Sequence, residues 1–299
     1  MRERAKERTA AARKQTEGFE SSEIFKKTVE AKLAELRPTV DERLAEKKVP
    51  EKWWQNFQRC GEESFWTACV LCGRSRELPY QCNLKWCPRC NWRIADRRRR
   101  ELEATTCMMC QTKHLVLTQK NFSENLLDHA RAAKKNIAKL RRRKLFGVVR
   151  GGCQSLEFTN EEKGWHMHWH LLIDSNFLPI DQVAVQWGKI VGQEFAIVHI
   201  KPVKQGSYLQ EVCKYAVKGS ELAGWTGEQI FEFAAMCRHV RMFETWGNFV
   251  EERRVAKLFL KQTRPRPEPC PCGCTEIRTG ATESEACKWA SIAQQKGYF

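Results

Sequence analysis

The sequence has no apolar run of about 18 residues, the length at which a segment reads as a membrane-spanning helix. Its first residues, Met1-Arg2-Glu3-Arg4-Ala5-Lys6, lack the apolar stretch of a secretory signal. These two absences argue against a membrane protein and point to the cytoplasm. Acidic residues are in deficit: 36 Asp and Glu face 52 Lys and Arg, a net charge of +16. The deficit is uneven, because Arg89 to Arg150 holds 17 basic residues and only 5 acidic ones. A surface built only for solubility would mix the signs. The surplus favours a polyanionic partner, nucleic acid first and an acidic membrane surface second. Tyrosine is scarce as well, with Tyr80, Tyr208, Tyr215 and Tyr298 making the full set of four. Any chemistry that needs a phenol has few residues to choose from.

Cysteine is not scarce. In a reducing compartment, 15 cysteines argue for metal binding over disulfides. Cys69-Val70-Leu71-Cys72 and Cys87-Pro88-Arg89-Cys90 are two C-x2-C pairs separated by 14 residues. Together they offer four soft ligands in a tetrahedron, which suits structural zinc, and Cys60 or Cys82 could replace one of them. Trp86, Arg89, Trp92 and Arg93 mix aromatic and basic character around the second pair, as a nucleic-acid surface would. A basic helix follows from Arg93 to Leu102; its Arg97, Arg98, Arg99 and Arg100 could track phosphates or simply form a charged solvent face. Cys107 and Cys110 form a further pair that reads as structural. Leu126 to Leu145 reads as a helix with Leu127, Ala130, Ile137 and Leu140 on one side. Its other side and end carry Lys134, Lys135, Lys139, Arg141, Arg142, Arg143 and Lys144. Near the N-terminus Phe25, Val29, Leu33 and Leu36 recur at helical spacing until Pro38. Near the C-terminus Pro265, Pro267, Pro269 and Pro271 mark a linker. Cys270, Cys272, Cys274 and Cys287 beyond it are candidates for a second zinc site.

The densest pattern is Gly164-Trp165-His166-Met167-His168-Trp169-His170. As a strand, its period of two puts His166, His168 and His170 on one face and Trp165, Met167, Trp169 and Leu171 on the other. Leu156-Glu157-Phe158-Thr159 reads as the preceding strand, with Asn160 to Gly164 as the hairpin loop. Glu157 is the natural third ligand beside the histidines, provided its side chain points to their face. His114 to Asn121 reads as a strand ending in a polar turn, and Val198 to Val203 as another. Tyr208 to Gly219 reads as a helix with Glu211, Tyr215 and Lys218 along one face. Gly227 to Glu244 and Phe249 to Leu260 read as further helices.

Two imidazoles and a carboxylate with open positions can hold Mg²⁺ or Mn²⁺ against a phosphodiester. A tyrosine hydroxyl can then attack phosphorus and keep the phosphate covalently. Tyr215 alone among the tyrosines has a carboxylate and a lysine on its own helical face.

Three segments resemble, in order, the motifs of the replication initiator proteins of rolling-circle plasmids, within the HUH endonuclease superfamily. They are Leu115-Val116-Leu117-Thr118-Gln119-Lys120-Asn121, Gly164-Trp165-His166-Met167-His168-Trp169-His170, and Glu211-Val212-Cys213-Lys214-Tyr215-Ala216-Val217-Lys218. The stretch Cys82 with Cys87-Pro88-Arg89-Cys90-Asn91-Trp92-Arg93 is similar to that family's zinc-binding segment. Met167 and Gly219 depart from it, standing where proline is common, but neither removes a functional group.

The resemblance implies a metal pair His168 and His170 with Glu157 as acidic partner and His166 as an auxiliary. It implies Tyr215 as nucleophile, Glu211 directing water for the terminating hydrolysis, and Lys218 at the phosphate. Structural zinc would be held by members of Cys69, Cys72, Cys82, Cys87 and Cys90. The implied partner is DNA at a plasmid double-strand origin, single-stranded at the nick, with host helicase and polymerase following, in a bacterial or archaeal cytoplasm. The implied fold is α+β: an antiparallel sheet flanked by helices, preceded by a cysteine-rich zinc module. The expected domains are an N-terminal arm, basic and helical or disordered (1–58), the zinc module with its basic helix (59–105), the endonuclease (106–262) and a Pro/Cys-rich tail (263–299). A transposase using the same chemistry and a non-enzymatic zinc-ribbon nucleic-acid-binding protein are the alternatives.

Overall fold

A computed structural model describes residues 24–34, 51–161, 164–203, 219–263, 270–274 and 276–296. The expected helix carrying Glu211, Tyr215 and Lys218 lies outside the described residues, as does most of the N-terminal arm and of the proline linker. In chain order the helices are α1 (24–34), α2 (Glu51–Arg59), α3 (Pro88–Thr106), α4 (Leu126–Arg141), α5 (Ile180–Val191), α6 (Gly219–Gly224), α7 (Gly227–His239), α8 (Asn248–Thr263) and α9 (Glu283–Gln295). The strands are β1 (Ser64–Cys69), β2 (Ser75–Pro79), β3 (Thr112–Thr118), β4 (Val149–Glu161), β5 (Gly164–Ser175), β6 (Val198–Pro202), β7 (Phe243–Gly247) and β8 (Ile277–Gly280). No described helix is long and apolar enough to cross a membrane. The chain divides into two compact units, one of residues 1–49 and 85–260, the other of residues 50–84 and 261–299.

The larger unit is built on an antiparallel sheet of order β6-β3-β5-β4-β7. The histidine strand β5 is therefore central. Its alternation places Trp165, Met167, Trp169 and Leu171 on one face, each buried. A tryptophan covers about 150–250 Å², so each buried indole contributes about 4–6 kcal/mol as an upper bound. Phe158 of β4 packs edge-on against Phe233 of α7, ring centroids 5.8 Å apart, and Trp165 does the same with Trp225 at 4.9 Å. Helix α4 lies against α7 and buries Leu126, Ala130, Ala133, Ile137 and Leu140.

The alternation of β5 stops at His170. From there to Ser175 every residue is buried on both faces. Leu172 on the histidine face packs with Cys153 of β4, Leu102 of α3 and Phe249 of α8. The histidines thus sit where the fully buried part of that face gives way to a half-buried part. An ion-pair network fixes the cover. Asp174 takes Arg150 through two nitrogens at 2.6 and 2.9 Å, and it accepts from Asn248 Nδ2 and the Gln111 amide. Arg253 of α8 grips Glu101 of α3 at 2.7 Å. In α1, Lys32 Nζ donates to the carbonyls of Ala223 and Trp225 and so caps the end of α6.

Three expectations need adjusting. The helix expected over Gly227 to Glu244 ends at His239, because Val240 turns to extended geometry. Phe243–Gly247 is instead the edge strand β7, paired with β4. The helix expected to reach Leu145 stops at Arg141, and a 3₁₀ turn over Lys144–Val148 delivers Phe146 to the core. Strand β4 runs from Val149 to Glu161, so most of the expected hairpin loop is strand.

The smaller unit has the sheet β2-β1-β8, antiparallel throughout, with α9 against β1. Its core is Ala68, Val70, Ala286, Ala290 and Ala293, with Trp66 and Cys287 partly covered. At about 0.8 kcal/mol per buried methyl-sized group, such side chains supply little apolar stabilisation. Helix α2 adds Trp54 stacked on Phe57, centroids 5.7 Å apart.

Candidate active site

Strand register assembles the site. His168 of β5 stands directly opposite Glu157 of β4, and His170 stands opposite Ser155. Glu157 Oε2 lies 3.0 Å from His168 Nε2 and 2.7 Å from His170 Nε2. The first contact is a hydrogen bond. The second is close without being aligned as one, so His170 Nε2 is a buried nitrogen with no hydrogen-bond partner among the described residues. The glutamate is buried, which by itself would favour its neutral form. The two imidazoles more than offset this and hold its carboxyl down at about 2. It is therefore a carboxylate at neutral pH.

The far side of His170 is also fixed. His170 Nδ1 and His114 Nε2 of β3 are 3.0 Å apart, and the rings lie within 15° of parallel. With the proton on Nδ1, His170 donates to His114 and keeps its Nε2 lone pair for a cation. Metal-binding imidazoles are generally held this way through their second nitrogen. His114 was not singled out from sequence. The available signal was parity, since His114, Val116 and Thr118 share the face that pairs with His170 and His168.

The three donor atoms of Glu157, His168 and His170 lie within 4.8 Å of one another. Donors about 2.1 Å from one centre and at right angles would lie about 3.0 Å apart, so the set fits an octahedral divalent ion with open positions. His166, grouped with the metal residues from sequence, stands outside this set. It is one pleat further along β5, and its Nδ1 is 2.7 Å from Asn121 Oδ1. A bridge between Phe122 and Trp165 holds that contact: Trp165 N donates to Phe122 O at 2.7 Å, and Phe122 N donates back at 3.1 Å. Gly164 makes the bridge feasible. Its φ is +86°, and a Cβ there would meet Phe122 O at 2.6 Å.

The basic residues divide into two groups. Arg98 stacks on Phe243 at 4.1 Å, Arg99 pairs with Asp96 and Glu103, and Arg100 pairs with Asp96. Arg141 lies over Trp246 at 4.3 Å. Arg97, Arg142, Arg143 and Lys144 are exposed. The last three follow directly on Arg141, beside a groove lined by Arg141, Arg142, Phe146 and Trp246.

The cysteines correct the sequence reading. Cys69 and Cys72 do not share a cluster with Cys87 and Cys90. Their sulphurs group instead with Cys270 and Cys272. The reason is topological: β8 pairs with β1 and brings the tail to the end of β1. Cys82 lies beside Cys60 in the smaller unit, its amide 3.5 Å from the Cys60 sulphur. Cys87 and Cys90 are buried at the start of α3 in the larger unit.

Neither the curated proteins nor the solved structures offer a match to the chain. The profile of one family, described as Replication protein (Rep_1), matches residues 76–264. That span contains the whole histidine sheet and its flanking helices, and the chain accordingly belongs to this family of replication proteins.

Proposed function

We propose that the chain initiates rolling-circle plasmid replication by nicking and later rejoining DNA at the origin, as an HUH-type endonuclease with a single catalytic tyrosine. The observation that carries this reading is the convergence of Glu157, His168 and His170 on the central hairpin of a replication protein. A Mg²⁺ or Mn²⁺ ion held by these three side chains would polarise a non-bridging phosphate oxygen and offset charge developing at phosphorus. Glu157 supplies the fixed negative charge for that ion. His114 orients His170, and Asn121 orients His166 on the same face of the sheet.

Tyr215 is the nucleophile by its match to the family motif. Its phenolic oxygen bonds to phosphorus as the P–O3′ bond breaks. The products are a 5′-phosphotyrosine and a free 3′-OH, the latter taking up a proton. Lys218 steadies the phosphate. Glu211 later directs the water that releases the protein. Host polymerase extends the 3′-OH while a host helicase opens the duplex. Exposed Arg142, Arg143 and Lys144 hold the backbone through charge.

The test is nicking of a supercoiled plasmid carrying the origin, in Mg²⁺, with separation of protein–DNA adducts. Wild type should give nicked circles and a covalent adduct, and Tyr215→Phe should give neither. Full nicking by Tyr215→Phe would sink the proposal.

A further inference from the structure

We propose that Cys69, Cys72, Cys270 and Cys272 bind one zinc ion as a tetrathiolate that clasps the C-terminal β8–α9 segment onto the β1–β2 hairpin. The site is independent of the chemistry at the histidines.

Geometry comes first. All four sulphurs lie within 4.8 Å of one another; Cys72 and Cys270 are 3.1 Å apart, and Cys69 and Cys272 are 3.6 Å apart. Four sulphurs each about 2.3 Å from one zinc would lie about 3.8 Å apart. A disulfide would need about 2.05 Å.

Each pair also spans a tight turn that ends on a glycine. Each turn is closed onto the carbonyl of its first cysteine: Gly73 N reaches Cys69 O at 2.9 Å, and Gly273 N reaches Cys270 O at 2.6 Å. Both glycines directly follow the second cysteine of their pair and have positive φ, +68° and +82°. The two turns differ by one residue in span, yet each carries its cysteine pair to the same cluster and ends on a glycine in the left-handed region. Four sulphurs this close, at separations too long for disulfides, fit around one cation.

The tail holds two more cysteines, and both are otherwise occupied. Cys274 Sγ points to Glu276 O at 3.7 Å, and Cys287 Sγ points to Gly73 O at 3.6 Å. So the crowding of Cys270-Pro271-Cys272-Gly273-Cys274 is no obstacle, because only its first two sulphurs enter the cluster. A clasp also fits the packing under β1, where the cluster is one valine and four alanines with Trp66 and Cys287 partly buried against it. Small domains commonly add a metal or disulfides to a limited core. Tetrahedral all-sulphur sites take zinc or iron; the redox-inert ion suits a clasp.

The experiment compares metal content of the full-length protein, wild type and Cys270→Ser/Cys272→Ser, purified under reducing conditions. The double variant should hold one zinc fewer per chain, while Cys274→Ser/Cys287→Ser should match wild type. Cobalt substitution should show intense sulphur-to-metal bands that weaken in the first variant only. If that variant does not fold, alkylation of wild type decides the matter. Cys270 and Cys272 should be protected until a zinc chelator is added, and then react at least tenfold faster. Equal zinc content in a folded double variant, equal alkylation with and without chelator, or a red iron protein would each overturn the assignment.

Discussion

Glu157 keeps its charge although burial favours its neutral form, because two histidines hold its carboxyl down. Substituting Glu157→Gln preserves the shape and deletes that charge. It should weaken Mn²⁺ binding at least about tenfold, measured by calorimetry, since a divalent ion in a partly buried site depends strongly on ligand charge. His114 acts one step further out. His114→Ala should cost about 10–100-fold in metal affinity with little change in the thermal midpoint, as losses of such supporting partners do. Three of these four side chains were legible in the sequence, because strand periodicity and hairpin length are local properties. His114 was not, because its role depends on a diagonal contact between β3 and β5, and register between distant strands leaves no local trace. The proposal of Tyr215 as nucleophile rests on a motif alone, since that residue lies outside the described structure.

Strand β5 depends on a single backbone conformation at its first residue. A side chain at Gly164 would strike Phe122 O and strain a φ of +86°. Gly164→Ala should therefore destabilise the larger unit by about 1–2 kcal/mol, read by denaturant unfolding, and release Asn121 from His166. Helix α3 makes the complementary point. It was legible as a basic helix, yet its pattern could not say which arginines face the protein. Arg98 shares Phe243 with Arg253, ring distances 4.1 and 5.0 Å, so Arg98→Ala should lower stability and leave DNA affinity nearly unchanged. Replacing Arg142, Arg143 and Lys144 with alanine should do the reverse. The slope of log affinity against log salt should fall by about 0.7–0.9 for each phosphate that is no longer neutralised, measured by titrations at several salt concentrations. Strand β7 was hidden because five residues between two helices carry too short an alternation to compete with the helical reading.

At the scale of the molecule, acid should act through the cluster that joins β3, β4, β5 and α8. Arg150, then Asn248 and the Gln111 amide, hold Asp174 below the ordinary carboxylate range against the opposing effect of burial. A carboxyl lowered on folding gives stability that is present above its unfolded value, near pH 4, and lost as pH falls toward the folded value. The urea midpoint of the full chain should drop as pH falls below about 4, and Asp174→Asn should flatten that part of the drop. The α+β class and the antiparallel sheet were readable in advance. The joining of the first cysteine pair to the tail was not, because nothing near Cys69 records what happens two hundred residues later. That joining has a consequence for how the protein is made. The smaller unit is encoded in two pieces with Lys85–Leu260 between them. At about 5–20 residues per second, the first piece leaves the ribosome roughly 10–35 seconds before its complement is synthesised. Throughout that interval Cys69 and Cys72 await their partners while the residues of the larger unit are being added. Ribosome-stalled chains ending before Cys270 should have both thiols open to alkylation, and finished chains should not. Synthesis past Cys272 would then be recorded chemically, by the capture at this cluster of an ion that no shorter product can hold there.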